Sequence, residues 1–307
     1  MDEAPISSPN AGVTRDGALR VACVQMQSGA DKQANVECAE RLVGAAAGAG
    51  RAGGAGGAGG AGAQLVVLPE HWNATGDGDV LRASAEVPDT GPTVAAMARW
   101  AQRWAITLVG GSIIERDSGS QRLYNTAFVF GQDGEMIGRY RKIHMFDVDV
   151  GGSRYRESEL TTPGSELLIV DAAGWRVGIS LCYDVRFPEL YRALAARGAQ
   201  VIAVPAYFTV ATGRDHWDLL LRTRAVENQL YVLAAGQCGE PAPGKPAYGR
   251  SLVCDPWGIV LARAADEEAV VPAQLHLGRI RAVRAGLPAL ANRRQEVYAS
   301  WEQPAAT

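Results

Sequence analysis

The chain has 307 residues, 47% of them hydrophobic and 21% charged, with a formal net charge of −3. Such values suit a globular protein with a large core, and they exclude a chain organised around a concentrated basic surface for nucleic acid or an anionic membrane. The five cysteines (Cys23, Cys38, Cys182, Cys238 and Cys254) include no C-x-x-C pair, and the four histidines show no ligand spacing. No disulfide framework, metal site or cofactor is therefore expected, and a reducing cytoplasm is the expected location.

Residues 1–17 carry acids and prolines without the apolar core of a signal peptide, and a disordered N-terminus is expected there. No run of large apolar residues is long enough to span a bilayer. Leu19–Gln27 alternates as a strand, and Asp31–Val43 reads as a helix capped by Asp31. Residues 44–63 contain only Gly, Ala and one Arg. The first alanines can extend the helix, while the Gly-Gly-Ala repeats predict a flexible insertion. Leu65–Leu68 is a strand running into Pro69-Glu70. Thr93–Trp104 is helical, and Ile106–Ile114 reads as a strand containing Gly110-Gly111. Tyr124–Phe130 and Glu135–Tyr140 form a hairpin around Gly131-Gln132-Asp133-Gly134.

A second hairpin, Leu167–Val170 with Trp175–Leu181, ends at Cys182. Pro188–Arg197 is a helix stopped by Gly198, and Gln200–Val204 is a strand. Arg214–Gln229 is helical; Leu230–Gln237 and Arg250–Cys254 are strands. The turn Asp255-Pro256-Trp257-Gly258 leads into strand Ile259–Ala262. Leu275–Ala285 reads as helical and residues 286–307 as a tail. Residues 18–285 thus form one α/β domain. A sheet covered by helices on one face must bury the other, and two sheets stacked face to face with helices outside meet that need.

Three strand ends carry reactive groups. Cys182 follows an apolar strand and precedes Pro188-Glu189, which suit the first turn of a helix. A thiol near a positive helix end is favoured as thiolate, the nucleophilic form. A buried structural cysteine is the other reading of that pattern. Glu70 ends the Leu65–Leu68 strand, and Lys142 follows the strand around Glu135–Tyr140. A parallel or mixed sheet gathers such ends at one edge, where α/β sites form.

With their neighbours, these residues resemble the nitrilase superfamily of carbon–nitrogen hydrolases, in its Nit-like amidase branch. The matching segments are Leu65–Glu70, Tyr140–Asp147, Leu181–Tyr191, His216–Asn228 and Tyr248–Gly258, and the similarity runs from about Leu19 to about Tyr298. The resemblance implies a four-layer αββα sandwich and a Glu70–Lys142–Cys182 triad, with Glu157 as a second glutamate. It also implies a homodimer or higher homo-oligomer, with the C-terminal tail reaching the partner. In the implied chemistry Cys182 attacks an amide carbonyl and Glu70 moves the protons. Lys142 and the backbone N–H of Tyr183 face the oxyanion, and a thioester forms as ammonia leaves.

For the substrate, Arg186 sits four residues past the cysteine, and a guanidinium can grip a carboxylate. An ion pair with Asp184 or Glu189 is its alternative. Thr209 is a second pocket candidate. The stretches Ala234–Gly239 and Tyr248–Ser251 resemble amidases of deaminated glutathione, with an omega-amidase acting on 2-oxoglutaramate or 2-oxosuccinamate as the alternative. His71-Trp72 stands next to the glutamate with no matched role. Competing readings are a Cys–His hydrolase using His144 or His216, a nitrile hydrolase, and an inactive scaffold on the same fold.

Overall fold

The structure, a computed structural model, describes residues 17–48 and 62–298. The expected disorder of 1–17 and flexibility of 44–63 fall mostly outside those residues. The first half runs β1 (Ala18–Gln25), α1 (Lys32–Ala46), β2 (Leu65–Val67), α2 (Gly78–Ser84), α3 (Pro92–Trp104), β3 (Thr107–Val109), β4 (Ile113–Arg116), β5 (Leu123–Phe130) and β6 (Met136–Arg141). A short hairpin follows, β7 (Asp147–Val150) and β8 (Ser153–Arg156), then β9 (Ile169–Ala172), β10 (Trp175–Ile179) and α4 (Pro188–Ala196). The last part holds β11 (Val201–Ala206), α5 (Val210–Asn228), β12 (Tyr231–Gly236), β13 (Leu252–Cys254), β14 (Val260–Arg263), β15 (Ala269–His276), α6 (Leu277–Gly286) and α7 (Gln295–Tyr298).

One sheet has the order β15-β1-β2-β3-β5-β4, with β6 on the other side of β5; the second has the order β14-β13-β12-β11-β10-β9. The middle strands of each are parallel: β1, β2 and β3 in the first, β10, β11 and β12 in the second. Side chains alternate across each strand. Leu19, Val21 and Cys23 of β1 enter a core between the sheets, where they meet Ile179, Val201 and Leu233 of the second sheet. Ala22 and Val24 point the other way, into a layer with Val43 of α1 and Met97 and Trp100 of α3. Ile202 and Val232 likewise turn outward onto Leu194 of α4 and Trp217 and Leu221 of α5. These strands bury both faces, which is why they read as unbroken apolar runs. The four layers, helices outside and sheets within, are those the resemblance implied.

Three sequence expectations need correction. Ile106–Ile114 is two strands, because Gly111 adopts φ +59° and turns the chain between β3 and β4. The long helix α5 starts at Val210 rather than Arg214, since Thr209 caps it and accepts from the Thr212 amide. Ala269–His276, read as no element until Leu275, is an edge strand antiparallel to β1. Three acids just before it and Pro272 within it masked the pattern, although proline is tolerated at a sheet edge. The helix expected at Pro188–Arg197 is present as α4, with Cys182 ahead of it in a 3₁₀ turn, Cys182–Arg186. The predicted tail contains α7, and its last nine residues lie outside the described ones.

Candidate active site

Four strand ends meet at one edge of the sandwich. Beyond β2 the chain continues through Leu68 and Pro69 to Glu70, whose carbonyl accepts from Gln237 Nε2 at 3.0 Å. Lys142 comes directly after β6; its amide donates to the Asn125 carbonyl at 2.8 Å, and its carbonyl accepts from the Gly164 amide at 2.7 Å. Past β10, Ser180 and Leu181 lead to Cys182. Past β11, the Tyr207 amide donates to Glu70 Oε2 at 2.9 Å, while the Tyr207 carbonyl accepts from the Cys182 thiol at 3.5 Å. Sequence-distant groups are thus fixed by backbone contacts at the sheet edge, as expected for α/β sites.

Lys142 Nζ lies 3.0 Å from Glu70 Oε1 and 2.8 Å from Glu157 Oε2. Glu157, at the start of a short turn after β8, also accepts from the Phe146 amide at 2.8 Å. Asn125 Nδ2 donates to Glu70 Oε1 and Glu157 Oε1, both at 2.9 Å, and lies 3.2 Å from His71 Nε2. Glu70, Lys142 and Cys182 are buried, yet all three line a cavity of about 240 Å³ together with Tyr207, Thr209 and Lys245.

Burial raises the Glu70 carboxyl, but the Lys142 ammonium, His71 and the hydrogen bond from the Cys182 thiol together outweigh it and hold it down at about 2. Burial likewise opposes the charge on Lys142, and Glu157 and Glu70 together more than reverse that, pushing its pKa well up. The Cys182 thiol is pushed well above its ordinary value by burial and then by the Glu70 carboxylate, with Lys142 pulling the other way. The resting pair is therefore thiol plus carboxylate. This corrects the expectation of a thiolate stabilised at a helix end.

Cys182 itself has φ +41°, in the left-handed region that a side chain with a Cβ rarely occupies. Glu70, His71 and Glu157 offer ligand atoms within 4.8 Å of one another. The Lys142 ammonium already bridges the two carboxylates, so the positive charge this cluster requires is built into the chain. Burial lowers the pKa of His71 against the pull of Glu70 and Glu157, and its Nδ1 is buried without a partner.

The other predicted residues separate. Thr209 lines the cavity. Tyr183 packs edge-on against Phe146, with ring centroids 5.1 Å apart. Arg186 is not among the residues lining the cavity: its Nη1 lies 3.3 Å from His216 Nδ1 and its guanidinium 5.3 Å from the Phe208 ring. Among the described residues it forms no ion pair with Asp184 or Glu189. Sequence reading missed Asn125, Tyr207 and Lys245. Asn125 had a signal, a polar side chain inside the apolar run of β5. Tyr207 acts through its backbone, which no side-chain pattern reveals.

A buried thiol facing a carboxylate and an ammonium is equipped for acyl transfer, which makes this a hydrolase of the cysteine type on a two-sheet α/β sandwich. A sequence model of the carbon–nitrogen hydrolase family matches residues 20–285. Omega-amidase NIT2 of Danio rerio is 39% identical over 282 residues, covering 91% of this chain and 96% of the relative. Omega-amidase NIT2 of Homo sapiens is 38% identical over 284 residues, with 92% and 97% covered. Among solved structures, Saccharomyces cerevisiae Nit3, of branch 10 of the nitrilase superfamily, matches with a TM-score of 0.80 at 33% identity, covering 90% of this chain and 97% of its own. A mutant of the Nesterenkonia sp. AN1 amidase matches with a TM-score of 0.74 at 26% identity, with 94% and 98% covered; its active-site cysteine carries the acetamide moiety of fluoroacetamide. The chain belongs to the carbon–nitrogen hydrolase family, in the Nit-like part of the nitrilase superfamily, and is a cysteine-dependent amidase.

Proposed function

We propose that the chain hydrolyses the terminal carboxamide of a short 2-oxo acid amide, with Cys182 as nucleophile and Glu70 as proton carrier. The observation that carries this reading is the placement of the Cys182 thiol, the Glu70 carboxylate and the Lys142 ammonium in one small cavity. Sulfur attacks the amide carbon as Glu70 accepts the thiol proton. The oxyanion faces Lys142 Nζ and the Tyr183 amide. Glu70 then protonates the leaving nitrogen, ammonia departs, and a thioester remains. Glu70 next takes a proton from water, which attacks the thioester and frees the acid and the thiol. Glu157 holds Lys142 at its post through the 2.8 Å ion pair.

A cavity of about 240 Å³ lies below the range of roughly 300–1,000 Å³ usual for drug-sized ligands. That favours 2-oxoglutaramate or 2-oxosuccinamate over the longer deaminated glutathione, and the omega-amidase names of the relatives favour it too. Thr209, Lys245 and Arg154 line the cavity and are available to the substrate's polar end, whereas Arg186 would have to turn away from His216 to join them. The test is release of the acid product, 2-oxoglutarate from 2-oxoglutaramate and from deaminated glutathione and butyrate from butyramide, by wild type and Cys182→Ala. Release from the first, lost in the variant, with a trapped thioester mass on Cys182, supports the reading. A folded wild type that releases none from any of them supports the inactive scaffold.

A Cys–His hydrolase using His144 or His216 is disfavoured because neither histidine lines the cavity that holds Cys182. Glu70→Gln separates the two, since a Cys–His enzyme would keep its activity. The free cysteines suit a reducing cytoplasm. Among the described residues no helix is long and apolar enough to cross a membrane. A homodimer is supported by an apolar surface on α5, β14 and the turn before β14, where Leu219, Trp257, Ile259 and Leu261 are 62%, 53%, 51% and 43% exposed.

A further inference from the structure

Asp184, two residues beyond Cys182, is fully buried, and both of its carboxylate oxygens are occupied. Oδ2 accepts from the Tyr140 hydroxyl at 2.7 Å and from the Leu181 amide at 2.8 Å. Oδ1 accepts from the His144 amide at 3.2 Å and faces His144 Nδ1 at 2.7 Å. A carboxylate only accepts, so that ring nitrogen carries a proton. The imidazole is itself stacked on Phe187, with centroids 3.6 Å apart and planes within 5°.

The sequence positions of these partners give the contact its meaning. Tyr140 and His144 stand two residues before and two residues after Lys142. Leu181 and Asp184 bracket Cys182. One side chain therefore clasps the backbone on both sides of the lysine to the backbone on both sides of the cysteine. Lys142 and Cys182 come from different sheets, at the ends of β6 and β10; the core between the sheets is apolar and resists sliding weakly, and the polar contacts of Tyr207 and Gln237 tie the second sheet to Glu70 rather than to Lys142. Four donors converging on one buried carboxylate supply a directional restraint between the lysine and cysteine segments.

Given the Glu70–Lys142–Cys182 chemistry proposed above, we propose that Asp184 is a positioning residue: it fixes the distance between the Lys142 ammonium and the Cys182 thiol, and His144 completes the clasp. It touches no reacting atom. A carboxylate can satisfy all four donors at once. A carboxamide has one acceptor oxygen and an NH₂ group, so two donors would face an NH₂ instead. A displacement near 1 Å in a reacting geometry can reduce rate by about a hundredfold.

The test measures kcat, KM and the rate of Cys182 alkylation by iodoacetamide, which requires no substrate. Asp184→Asn is expected to lower kcat and the alkylation rate by about 10- to 100-fold, with KM within about threefold of wild type. Because that variant can fail to fold, a milder pair accompanies it. His144→Phe keeps the stack on Phe187 but loses the donor, whereas His144→Asn restores a donor in place of Nδ1. His144→Phe should lose about tenfold in both rates and His144→Asn should recover most of it. Wild-type rates in a folded Asp184→Asn, or equal rates in the two His144 variants, overturn the proposal. So does a raised KM with unchanged kcat. If wild type releases ammonia through Cys182 but these variants match it, the clasp fails while the amidase reading stands. If wild type releases none, the alkylation rates still decide the clasp.

Discussion

At the scale of the residue, the site is a set of shared contacts. Asn125 gives its one NH₂ group to two carboxylates that would otherwise repel across the Lys142 ammonium. Asn125→Ala is expected to lower kcat by about 10- to 100-fold with a small effect on KM, because the loss falls on the orientation of Glu70 and Lys142. Steady-state kinetics on a small amide check this. Glu70 also makes stability depend on pH in a fixed sense. Its carboxyl is held at about 2 in the fold, below its ordinary value, so its contribution is full above the unfolded value near 4.5 and is lost as pH falls through the folded one. The melting temperature of wild type relative to Glu70→Gln should decline between pH 4.5 and pH 2. A flat difference would mean the carboxyl is not held down. The Glu, Lys and Cys were legible because strand-end motifs flank each of them. Asn125 and the Tyr207 backbone were not, because the one looks like a strand residue and the other has no side-chain signature.

Elements were legible to the degree that burial imposed a pattern. Strands such as β1, β2 and β11 bury both faces, so composition alone gave them away. β15 pairs along only one edge and follows Asp266-Glu267-Glu268, so its alternation was diluted. The break between β3 and β4 shows how one position serves the site. A Cβ on Gly111 would lie 2.0 Å from the Pro69 carbonyl and 2.7 Å from the Trp72 ring, while φ is +59°. Gly111→Ala should destabilise the fold by about 3 kcal/mol and move the segment that carries Glu70. Denaturant unfolding and ammonia release should show both effects. A variant with unchanged stability would mean the turn relaxes freely.

For the whole molecule, the layering could be anticipated from a physical need, since a sheet with one helix-covered face must hide the other. What one chain's sequence did not display was the surface where Leu219 and Val226 of α5 adjoin Trp257, Ile259 and Leu261. Those residues are far apart in sequence, and contacts such as Val226 near Gly258, Arg222 Nε donating to the Gly258 carbonyl and the Arg263–Asp218 ion pair bring them onto one face. If this face pairs two copies, Leu219→Arg with Leu261→Arg should give a folded monomer by light scattering, whereas wild type should be at least a dimer. Wild type that is already monomeric would remove the face from consideration.

The left-handed backbone at Cys182 has a consequence for history as well as chemistry. Every residue but glycine is strained there, so the chain carries a standing cost at the one position where a thiol is required. Cys182→Gly should therefore be more stable than Cys182→Ala, by about 0.5–1 kcal/mol after the added freedom of the unfolded chain is deducted, although both lack the thiol. Thermal unfolding of the two variants checks this. A descendant released from hydrolysis would find glycine the downhill substitution at this backbone angle.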